Sequence, residues 1–235
     1  MFPCVSVKNM RECDAYTIAH FTSGRDLMYR AAYGVFLAVD HWCDPAIVVG
    51  SGNNGGDGFA LACILHKKGI PCTVYTLSDR LSADSSFYAE QARAFTVPTH
   101  QYTQGCLQKH AVIVDCLLGT GFNGPVREAY RNVITEINSS GAYVVSVDIN
   151  SGMNGDSGEA EIAVCSDLTV TIGYFKIGLL CENAGKYIRR LVCCDIGIHL
   201  IREEWWLCLP GEQFLPESLH IPSWVDCNIL SVRDL

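Results

Sequence analysis

Residues 50–58 read GSGNNGGDG and directly follow the apolar run AIVV at residues 46–49. A strand followed by a segment with almost no side chains to pack is typical of a turn that approaches a ligand. Gly55, Gly56 and Gly58 let the backbone adopt φ > 0 and come close to a bound group. A helix that begins near Asp57 or Gly58 would present free N–H groups to a pyrophosphate or a similar anion. The same residues could form only a tight turn, so both interpretations are kept at this point.

Neither of the two common phosphate-binding signatures is present in this stretch. The residues do not match GxGxxG, the dinucleotide fingerprint, and they do not match GxxxxGK[ST], the P-loop. The stretch alone therefore indicates a close backbone approach without identifying the ligand.

The rest of the chain alternates between runs with helical periodicity and short apolar runs rich in β-formers. Asp26 is predicted to cap the second helix, and Pro125 is predicted to stand in the first turn of the fifth. This alternation predicts an α/β fold with a mostly parallel central sheet covered on both faces. The predicted helices span 7–20, 26–41, 59–69, 84–95 and 126–138, and the predicted strands span 46–50, 72–77, 111–117, 142–149, 167–174 and 190–198.

The last part of the chain differs in composition from the rest. We predict one domain over residues 1–200 and a C-terminal tail over residues 201–235, with strand 190–198 as the last strand. Residues 199–224 hold three prolines and three tryptophans without a clear period. The tail is expected to pack over the domain or against a partner subunit, or to begin a linker, with Trp205 and Trp206 as packing anchors.

Composition excludes several classes of protein. The 235-residue chain has a formal net charge of −8, which argues against general binding to nucleic acid or to an anionic membrane surface. No apolar run is long enough to span a membrane, and the N-terminus has no export-signal pattern. Thirteen cysteines without a CxxC pair, mostly in apolar runs, are interpreted as reduced, buried thiols of a cytoplasmic protein.

Three predicted strands end in loops rich in glycine and asparagine, and such loops meet at one edge of an open parallel sheet. The second loop, GTGFNG at 119–124, follows the strand that ends near Asp115, and the third follows Asp148. Either aspartate could form only an Asx-turn, but two of them beside three such loops favour a site.

The same edge offers further ligand atoms. Oxygen atoms of Asn54, Asp115 and Ser151 could bind a hard cation together with backbone carbonyls. Lys176 follows another strand and either reaches this edge or is a solvated surface lysine.

Four motifs, in this order and at this spacing, resemble those of the YjeF N-terminal domain family, the NAD(P)H-hydrate epimerases. The motifs are GNNGGDGFALACILHKKG, VDCLLGTGFNGPVREAY, VDINSGMNGDSGE and TVTIGYFKIGLL. The early segments NMRECDAYTI and LMYRAA are also similar to the opening helices of that family. The resemblance thus covers residues 5 to about 198.

The resemblance implies a Rossmann-like three-layer αβα sandwich that forms a homodimer and interconverts the R and S forms of NADHX and NADPHX. A separate ATP- or ADP-dependent dehydratase would then restore the cofactor from the S form. Matched by motif, the family's ligands for one K⁺ per subunit are Asn54, Asp115 and Ser151, and its catalytic, substrate-contacting aspartate is Asp148. Its other substrate-binding positions fall on Asn53, Asn54, Gly55, Gly56, Asp57, Gly119, Thr120, Gly121, Phe122, Asn123, Gly124 and Pro125.

This chain departs from the family pattern in three respects. Asn150 stands where the family has the proline of VDIPSG, which is expected to change loop stiffness more than chemistry. Tyr29 and Ala32 replace a glutamate and a glycine of the second helix, which bears on a dimer contact through that helix. Because the chain stops at Leu235, dehydration is expected to need a separate protein.

The expected mechanism is expulsion of hydroxide by the ring nitrogen of the hydrate and return of water to the opposite face, with Asp148 as acid and then base. Two other classes are weighed against it. A non-catalytic nucleotide-binding or scaffold module would use the same loops, but it has little reason to place Asp115 and Asp148 beside an anionic ligand. The second and third loops disfavour a nucleotide-dependent methyltransferase.

Overall fold

The structure is a computed structural model that describes residues 2–78, 80–202, 205–207 and 222–235, with the backbone alone for Phe2 and residues 205–207. Two short 3-10 helices, Ile177–Leu180 and Glu182–Lys186, lie among these residues. In chain order the strands and α-helices are β1 (Phe2–Val5), α1 (Val7–His20), α2 (Gly24–Ala38), β2 (Ala46–Val49), α3 (Asn53–Lys67), β3 (Thr73–Thr76), α4 (Ala83–Ala94), β4 (Thr99–Gln101), β5 (Val112–Cys116), α5 (Glu128–Ser139), β6 (Tyr143–Val147), β7 (Leu168–Ile172), β8 (Phe175–Lys176), β9 (Leu191–Asp195), β10 (Trp205–Leu207) and β11 (Val225–Ser231).

Eight strands form one sheet in the spatial order β11-β9-β7-β6-β5-β2-β3-β4, and each neighbouring pair is parallel. Apolar side chains of α1 to α4 pack on one face, and those of α5 pack on the other. Strand β2 shows why its run is apolar throughout, because Ile47 and Val49 face the first helical layer while Ala46 and Val48 face the second. The predicted α/β sandwich with a parallel sheet is therefore confirmed.

The direction of strand addition reverses between β2 and β5. From β2 the chain adds β3 and β4 on one side, and it then returns to place β5 on the other side. In open α/β sheets, ligands bind beyond the carboxyl ends of the strands at such a reversal. The loops that follow β2, β5 and β6 leave these ends side by side.

Strands β1, β8 and β10 form a second sheet that the sequence did not predict. Strand β1 pairs in parallel with β8 and antiparallel with β10. Each of these strands has two to four residues, which is too short to show the alternation of side chains that identifies a strand.

Strand β9 is not the last strand, contrary to the prediction. Strand β11 runs parallel to β9 at the edge of the main sheet, so the sheet continues beyond residue 200. Its sequence VDCNILS lacks a continuous apolar run because its side chains are only partly buried. The expectations for residues 203–204 and 208–221, and for the side chains of Trp205 and Trp206, lie outside the described residues.

Two helix starts differ from the prediction. Ser23, not Asp26, caps α2: the N–H of Asp26 donates to Ser23 Oγ at 3.1 Å, and Ser23 Oγ donates to Asp26 Oδ2 at 2.6 Å. Pro125 lies before α5 rather than in its first turn, because Gly124 turns the chain with φ +92° and the helix begins only after Arg127. No helix in the described residues has both the length and the apolar character needed to cross a bilayer.

Cysteine side chains fill parts of the core. Cys63, Cys116 and Cys193 are buried among apolar neighbours, and burial raises the pKa of the Cys63 thiol to about 11. Burial likewise raises the thiol pKa of Cys116 and Cys193. These three cysteines therefore behave as small hydrophobic residues, as the sequence predicts.

Candidate active site

A cleft of about 580 Å³ opens at the strand reversal, between helices α1 and α2 and the loops after β2, β5 and β6. Part of its wall is apolar and is formed by Met10, Leu27, Met28 and Ile172. The charged side chains that line it are Arg11, Asp14, Asp57, Asp84, Asp148 and Lys176. Acidic groups thus outnumber basic groups in a partly apolar cleft, and such an arrangement perturbs the pKa values of its carboxyls.

The first glycine-rich loop is mostly helix. Helix α3 begins at Asn53, so that Gly55, Gly56 and Gly58 lie in its first two turns, and none of them has φ > 0. The expected left-handed conformation and the predicted helix start near Asp57 are therefore wrong. Glycine has low helix propensity, so the sequence pattern hid the first turns of a helix that tertiary packing stabilises.

These glycines are required by close packing. A Cβ atom on Gly55 would lie 2.2 Å from the carbonyl oxygen of Gly50, and one on Gly58 would lie 2.7 Å from Val49 Cγ1. A Cβ atom on Gly56 would lie 2.5 Å from Met28 Cε. Absence of side chains lets α3 press against β2 and α2, so the close approach is to the protein itself.

The start of α3 nevertheless faces the cleft. Gly52 is the N-cap residue and contributes no capping side chain, and Gly52, Asn53 and Asn54 line the cleft. The first N–H groups of a helix have no partner within the helix. The start of α3 can therefore donate to an anionic group of a ligand.

The second loop lines more than one cavity. Gly119 to Phe122 line the cleft, whereas Phe122 to Pro125 line a neighbouring pocket of about 510 Å³. Arg11 on α1 donates a hydrogen bond of 2.8 Å from Nη2 to the carbonyl oxygen of Thr120 and so anchors the loop to the wall of the cleft. Of the predicted substrate positions, the cleft brings together Asn53, Asn54, Asp57, Gly119, Thr120, Gly121, Phe122 and Asp148, and it does not include Gly55, Gly56, Asn123, Gly124 or Pro125.

Asp148 and Lys176 form an ion pair in the cleft. Asp148 directly follows β6 with φ +68°, a left-handed conformation that aspartate tolerates better than most residues. Its Oδ1 accepts a hydrogen bond from Lys176 Nζ. The Lys176 side chain is only 1% exposed, and it also donates to Thr171 Oγ1 at 3.1 Å and to the carbonyl oxygen of Ile172 at 2.6 Å. Of the two alternatives for Lys176, the structure therefore selects the one in which it reaches the site.

Two further carboxyls share this environment. Burial raises the pKa of Asp14 to about 6, with Lys176 opposing the shift and Asp148 adding to it. Burial raises the pKa of Asp57 well above its usual value, and the negative charges of Asp148 and Asp14 add to this effect while Lys176 opposes it. The Lys176 ammonium group therefore interacts with three carboxyls: it pairs with Asp148 and opposes the rise in the pKa of Asp14 and Asp57. Asp14 was not predicted, because a lone aspartate in the helical segment ECDAYTI carries no sequence signal of a site.

Behind the cleft, Asp115 forms a buried hydrogen-bond cluster with the third loop. Its Oδ1 accepts from Ser151 Oγ at 2.5 Å and from the N–H of Leu117 at 3.2 Å, and its Oδ2 accepts from Ser146 Oγ and the N–H of Ser151, both at 2.9 Å. Burial raises the pKa of Asp115, and these hydrogen bonds oppose the shift. The loops after β5 and β6 are thus joined through one carboxylate.

The oxygen donors in this region fit a hard cation. Asn54 Nδ2 donates to the carbonyl oxygen of Leu118 at 3.1 Å, and Ser151 Oγ contacts the same carbonyl at 3.2 Å. Asn54 Oδ1 is buried and has no hydrogen-bond partner among the residues that the structure describes, although a buried oxygen normally has one. An oxygen that lacks a hydrogen-bond donor, on a side chain linked to Ser151 through the Leu118 carbonyl, has an acceptor site free for a cation.

Asn150, which differs from the family pattern, is a structural residue. It is fully buried, and its Nδ2 donates to the carbonyl oxygen of Val164 at 2.8 Å and to Ser166 Oγ at 2.9 Å. Its Oδ1 accepts from Thr169 Oγ1 at 2.7 Å. The amide therefore ties the start of the third loop to β7 and to the segment before it.

The chain is similar to known proteins of one family. The model of the family described as YjeF-related protein N-terminus matches residues 24–178. The NAD(P)H-hydrate epimerase of Limosilactobacillus reuteri (strain ATCC 55730 / SD2112) is 36% identical over 208 residues, which cover 84% of this chain and 97% of that protein. The NAD(P)H-hydrate epimerase of Limosilactobacillus fermentum is 36% identical over 203 residues, covering 81% of this chain and 95% of that protein.

A longer relative and a solved structure complete the comparison. The bifunctional NAD(P)H-hydrate repair enzyme Nnr of Coxiella burnetii is 35% identical over 198 residues, and the chain spans only 41% of its length. The crystal structure of yeast ynu0 superposes with a TM-score of 0.67 at 24% identity, covering 74% of this chain and 82% of that chain, which shows a shared fold. From the family match and the identity to nearly full-length relatives, it follows that the chain belongs to the YjeF-related N-terminal family.

Proposed function

We propose that the protein is an NAD(P)H-hydrate epimerase, which interconverts the R and S forms of NADHX and NADPHX in the repair of nicotinamide cofactors. The observation that carries the proposal is the ion pair between buried Lys176 and Asp148 in the cleft. A domain that only binds phosphate has no use for a carboxylate held at the ligand by a buried ammonium group. The names of the relatives support the epimerase and give no support to a non-catalytic module or a methyltransferase.

The chemistry of epimerisation uses the groups in the cleft. The lone pair of the ring nitrogen forms a C=N⁺ bond as the C–O bond of the hydrate breaks, and water then adds to the opposite face. Asp148 transfers the proton in both steps: it protonates the departing hydroxyl group, which leaves as water, and its carboxylate then accepts a proton from the incoming water. Lys176 holds this carboxylate in place through its short contact to Oδ1.

The first experiment uses R-NADHX that has been separated from the S form. We expect the wild-type protein in potassium buffer to speed the approach to the R/S equilibrium, followed by chromatography, with the uncatalysed rate subtracted. Asp148→Asn retains a residue that tolerates φ +68° and should lose about 100-fold or more of the rate. Asp40→Asn, an exposed position outside the cleft, is the matched control. An Asp148→Asn protein that binds substrate and keeps full activity would contradict the assignment.

The proposal includes one K⁺ per subunit, held by Asn54, Asp115 and Ser151. It is supported by the buried Asn54 Oδ1, which accepts no hydrogen bond from the described residues, and by the Leu118 carbonyl that Asn54 and Ser151 both contact. When bound, the ion would balance the charge of the buried Asp115 carboxylate and fix the loops after β5 and β6 relative to α3. It would take no part in bond breaking.

The proposal also includes the protein's partners and location. It places a homodimer in the cytoplasm, acting before a separate ATP- or ADP-dependent dehydratase. The bifunctional names of longer relatives in Coxiella burnetii and Leishmania braziliensis support only the link to a second repair reaction. Size-exclusion chromatography with light scattering tests the dimer. Addition of the dehydratase to R-NADHX, with and without this protein, tests the reaction sequence through the yield of NADH.

A further inference from the structure

We infer that Asp14 is a second acid–base residue of the site, which donates a proton to the departing hydroxyl group of the substrate. The inference rests on the epimerase function proposed above. It goes beyond that proposal because the mechanism there assigns proton transfer to Asp148 alone.

Helix α1 places Asp14 in the cleft. Met10, Asp14 and Ile18 follow one another at intervals of four residues, so they lie along one face of the helix, and all three line the cleft. Asp14 therefore lies between two apolar side chains and is partly buried. Arg11, one turn earlier, is held by the carbonyl oxygen of Thr120.

A second acid is needed because Asp148 is already the anion of an ion pair. Its partner Lys176 has three N–H groups, and these are donated to Asp148, Thr171 and Ile172. This ammonium group is therefore committed to fixed acceptors and is poorly placed to supply a proton. The departing hydroxyl must take its proton from another group in the cleft.

Asp14 has the properties that such a proton donor requires. Within the described residues, the Asp14 carboxyl accepts no hydrogen bond that would stabilise its ionised form and lower its pKa. Its pKa of about 6 lies near neutrality, where a general acid is most effective. Asp57 lines the same cleft, and burial raises its pKa well above the usual value. The charged groups that share the cleft with Asp14 are Arg11, Asp57, Asp84, Asp148 and Lys176.

The proton and electron count closes on this assignment. The C–O bond breaks and its electron pair stays with oxygen, which takes the Asp14 proton and leaves as water. The ring nitrogen supplies the electron pair of the new C=N⁺ bond. When water adds to the other face, its oxygen forms the C–O bond and its proton passes to the Asp148 carboxylate. Loss of this proton from Asp148 and uptake of one by Asp14, both by exchange with solvent, restore the starting state, so that no oxidant or co-reactant is needed.

The test compares Asp14→Asn, Asp14→Glu and the control Asp40→Asn in the R-NADHX assay between pH 5 and 9. We expect Asp14→Asn to lose at least about tenfold in kcat with little change in KM, since general-acid catalysis contributes about 10²- to 10⁴-fold. In the wild type, kcat should fall as Asp14 loses its proton at higher pH, and Asp14→Asn should lack this fall. Asp14→Glu should recover part of the rate and the alkaline limb, while Asp40→Asn should match the wild type.

Two results would overturn the inference. One is an Asp14→Asn protein within twofold of the wild type at every pH. The other is a slow Asp14→Asn protein whose pH profile keeps its alkaline limb, because Asp14 would then act only on structure. Either result, together with an inactive Asp148→Asn, leaves the epimerase proposal intact. If the wild-type protein itself does not speed epimerisation, the proposed function and this inference both fail.

Discussion

The two glycine-rich loops at the strand reversal have similar compositions and opposite surroundings. In the first, residues 50–58, a Cβ atom on Gly55, Gly56 or Gly58 would lie within 2.7 Å of protein atoms. In the second, residues 119–124, a Cβ atom on Gly121 or Gly124 would meet no atom of the described residues within 4 Å, and one on Gly119 would lie 3.2 Å from Asn54 Cβ. The first loop is a helix start locked by its neighbours, and the second is exposed backbone at the side of a cleft.

This difference separates two uses of glycine. In the first loop, absence of a side chain allows close packing between α3 and β2, which fixes the N-terminus of α3. In the second loop, it leaves backbone groups accessible and permits the turn at Gly124, where φ is +92°. The two loops meet at Asn54, whose Nδ2 donates to the carbonyl oxygen of Leu118. The locked loop therefore supports the start of the open one.

The largest effect is expected for Gly55→Ala, which tests the locked loop. The new methyl group would lie 2.2 Å from the carbonyl oxygen of Gly50, a backbone atom that cannot move alone. We expect the free energy of unfolding to fall by about 3 kcal/mol, although alanine is the better helix former. Urea denaturation measures the change. Unchanged stability would show that α3 does not press on β2, and the contrast between the loops would fail.

The second prediction concerns the carboxyls in the cleft, where Asp57 of the first loop lies with Asp14 and Asp148. Asp14→Asn removes one of these negative charges and so reduces the repulsion between them. The folded-state pKa of Asp14 is raised to about 6 from 3.8, so the folded state binds more protons than the unfolded state between these values. The contribution of Asp14 to wild-type stability therefore falls as pH rises from about 4 to 6. After allowance for partial exposure, Asp14→Asn should be more stable than the wild type by about 2 kcal/mol at pH 7.5.

The check on this second prediction is the pH dependence of the difference. Urea denaturation of both proteins at pH 4 should give nearly equal stabilities, and the gap should open by pH 7. A constant gap would assign the change to packing rather than to the charge of Asp14.

The contact between the loops can be tested with K⁺. If K⁺ is present at ten times its Kd, it should raise the free energy of unfolding by about 1.4 kcal/mol relative to choline at equal ionic strength. Asn54→Ala removes the unpartnered Oδ1 and should abolish this difference, whereas the neighbouring Asn53→Ala should keep it. A wild-type stability that is equal in both salts would leave the loops joined by hydrogen bonds alone.

The smallest effect is expected for Gly121→Ala, the counterpart of Gly55→Ala in the open loop. Gly121 is exposed, its φ is not positive, and a Cβ atom would meet no atom within 4 Å. We expect the free energy of unfolding to change by less than about 0.5 kcal/mol. Thermal denaturation of the two alanine variants side by side gives the comparison directly. Equal losses of stability would show that both loops are packed alike.

Features that depend on neighbouring residues in the sequence could be predicted, whereas features that depend on contacts between distant residues could not. The apolar runs of β2, β5, β6, β7 and β9 identify central strands because both faces of a parallel sheet are covered. Strand-exit residues such as Asp148 followed from the rule for ligand sites in such sheets. The helical start at Asn53 could not be predicted, since glycine disfavours a helix unless packing requires it. Asp14 was also missed, because it acquires its environment only when α1 lies beside the cleft.

The left-handed backbone at Asp148 has a consequence for any saturation library at this position. Asparagine and glycine tolerate φ +68° well, whereas β-branched and bulky residues do so at a steric cost. Most members of such a library would change the conformation of the loop as well as remove the carboxylate. Their low activity would therefore not distinguish a disturbed fold from the loss of the acid–base group. Only the asparagine and glycine variants would report on the carboxylate alone. The backbone conformation thus limits the residues that can replace Asp148 without disturbing the loop. For the same reason it limits the substitutions that can accumulate at this position during evolution.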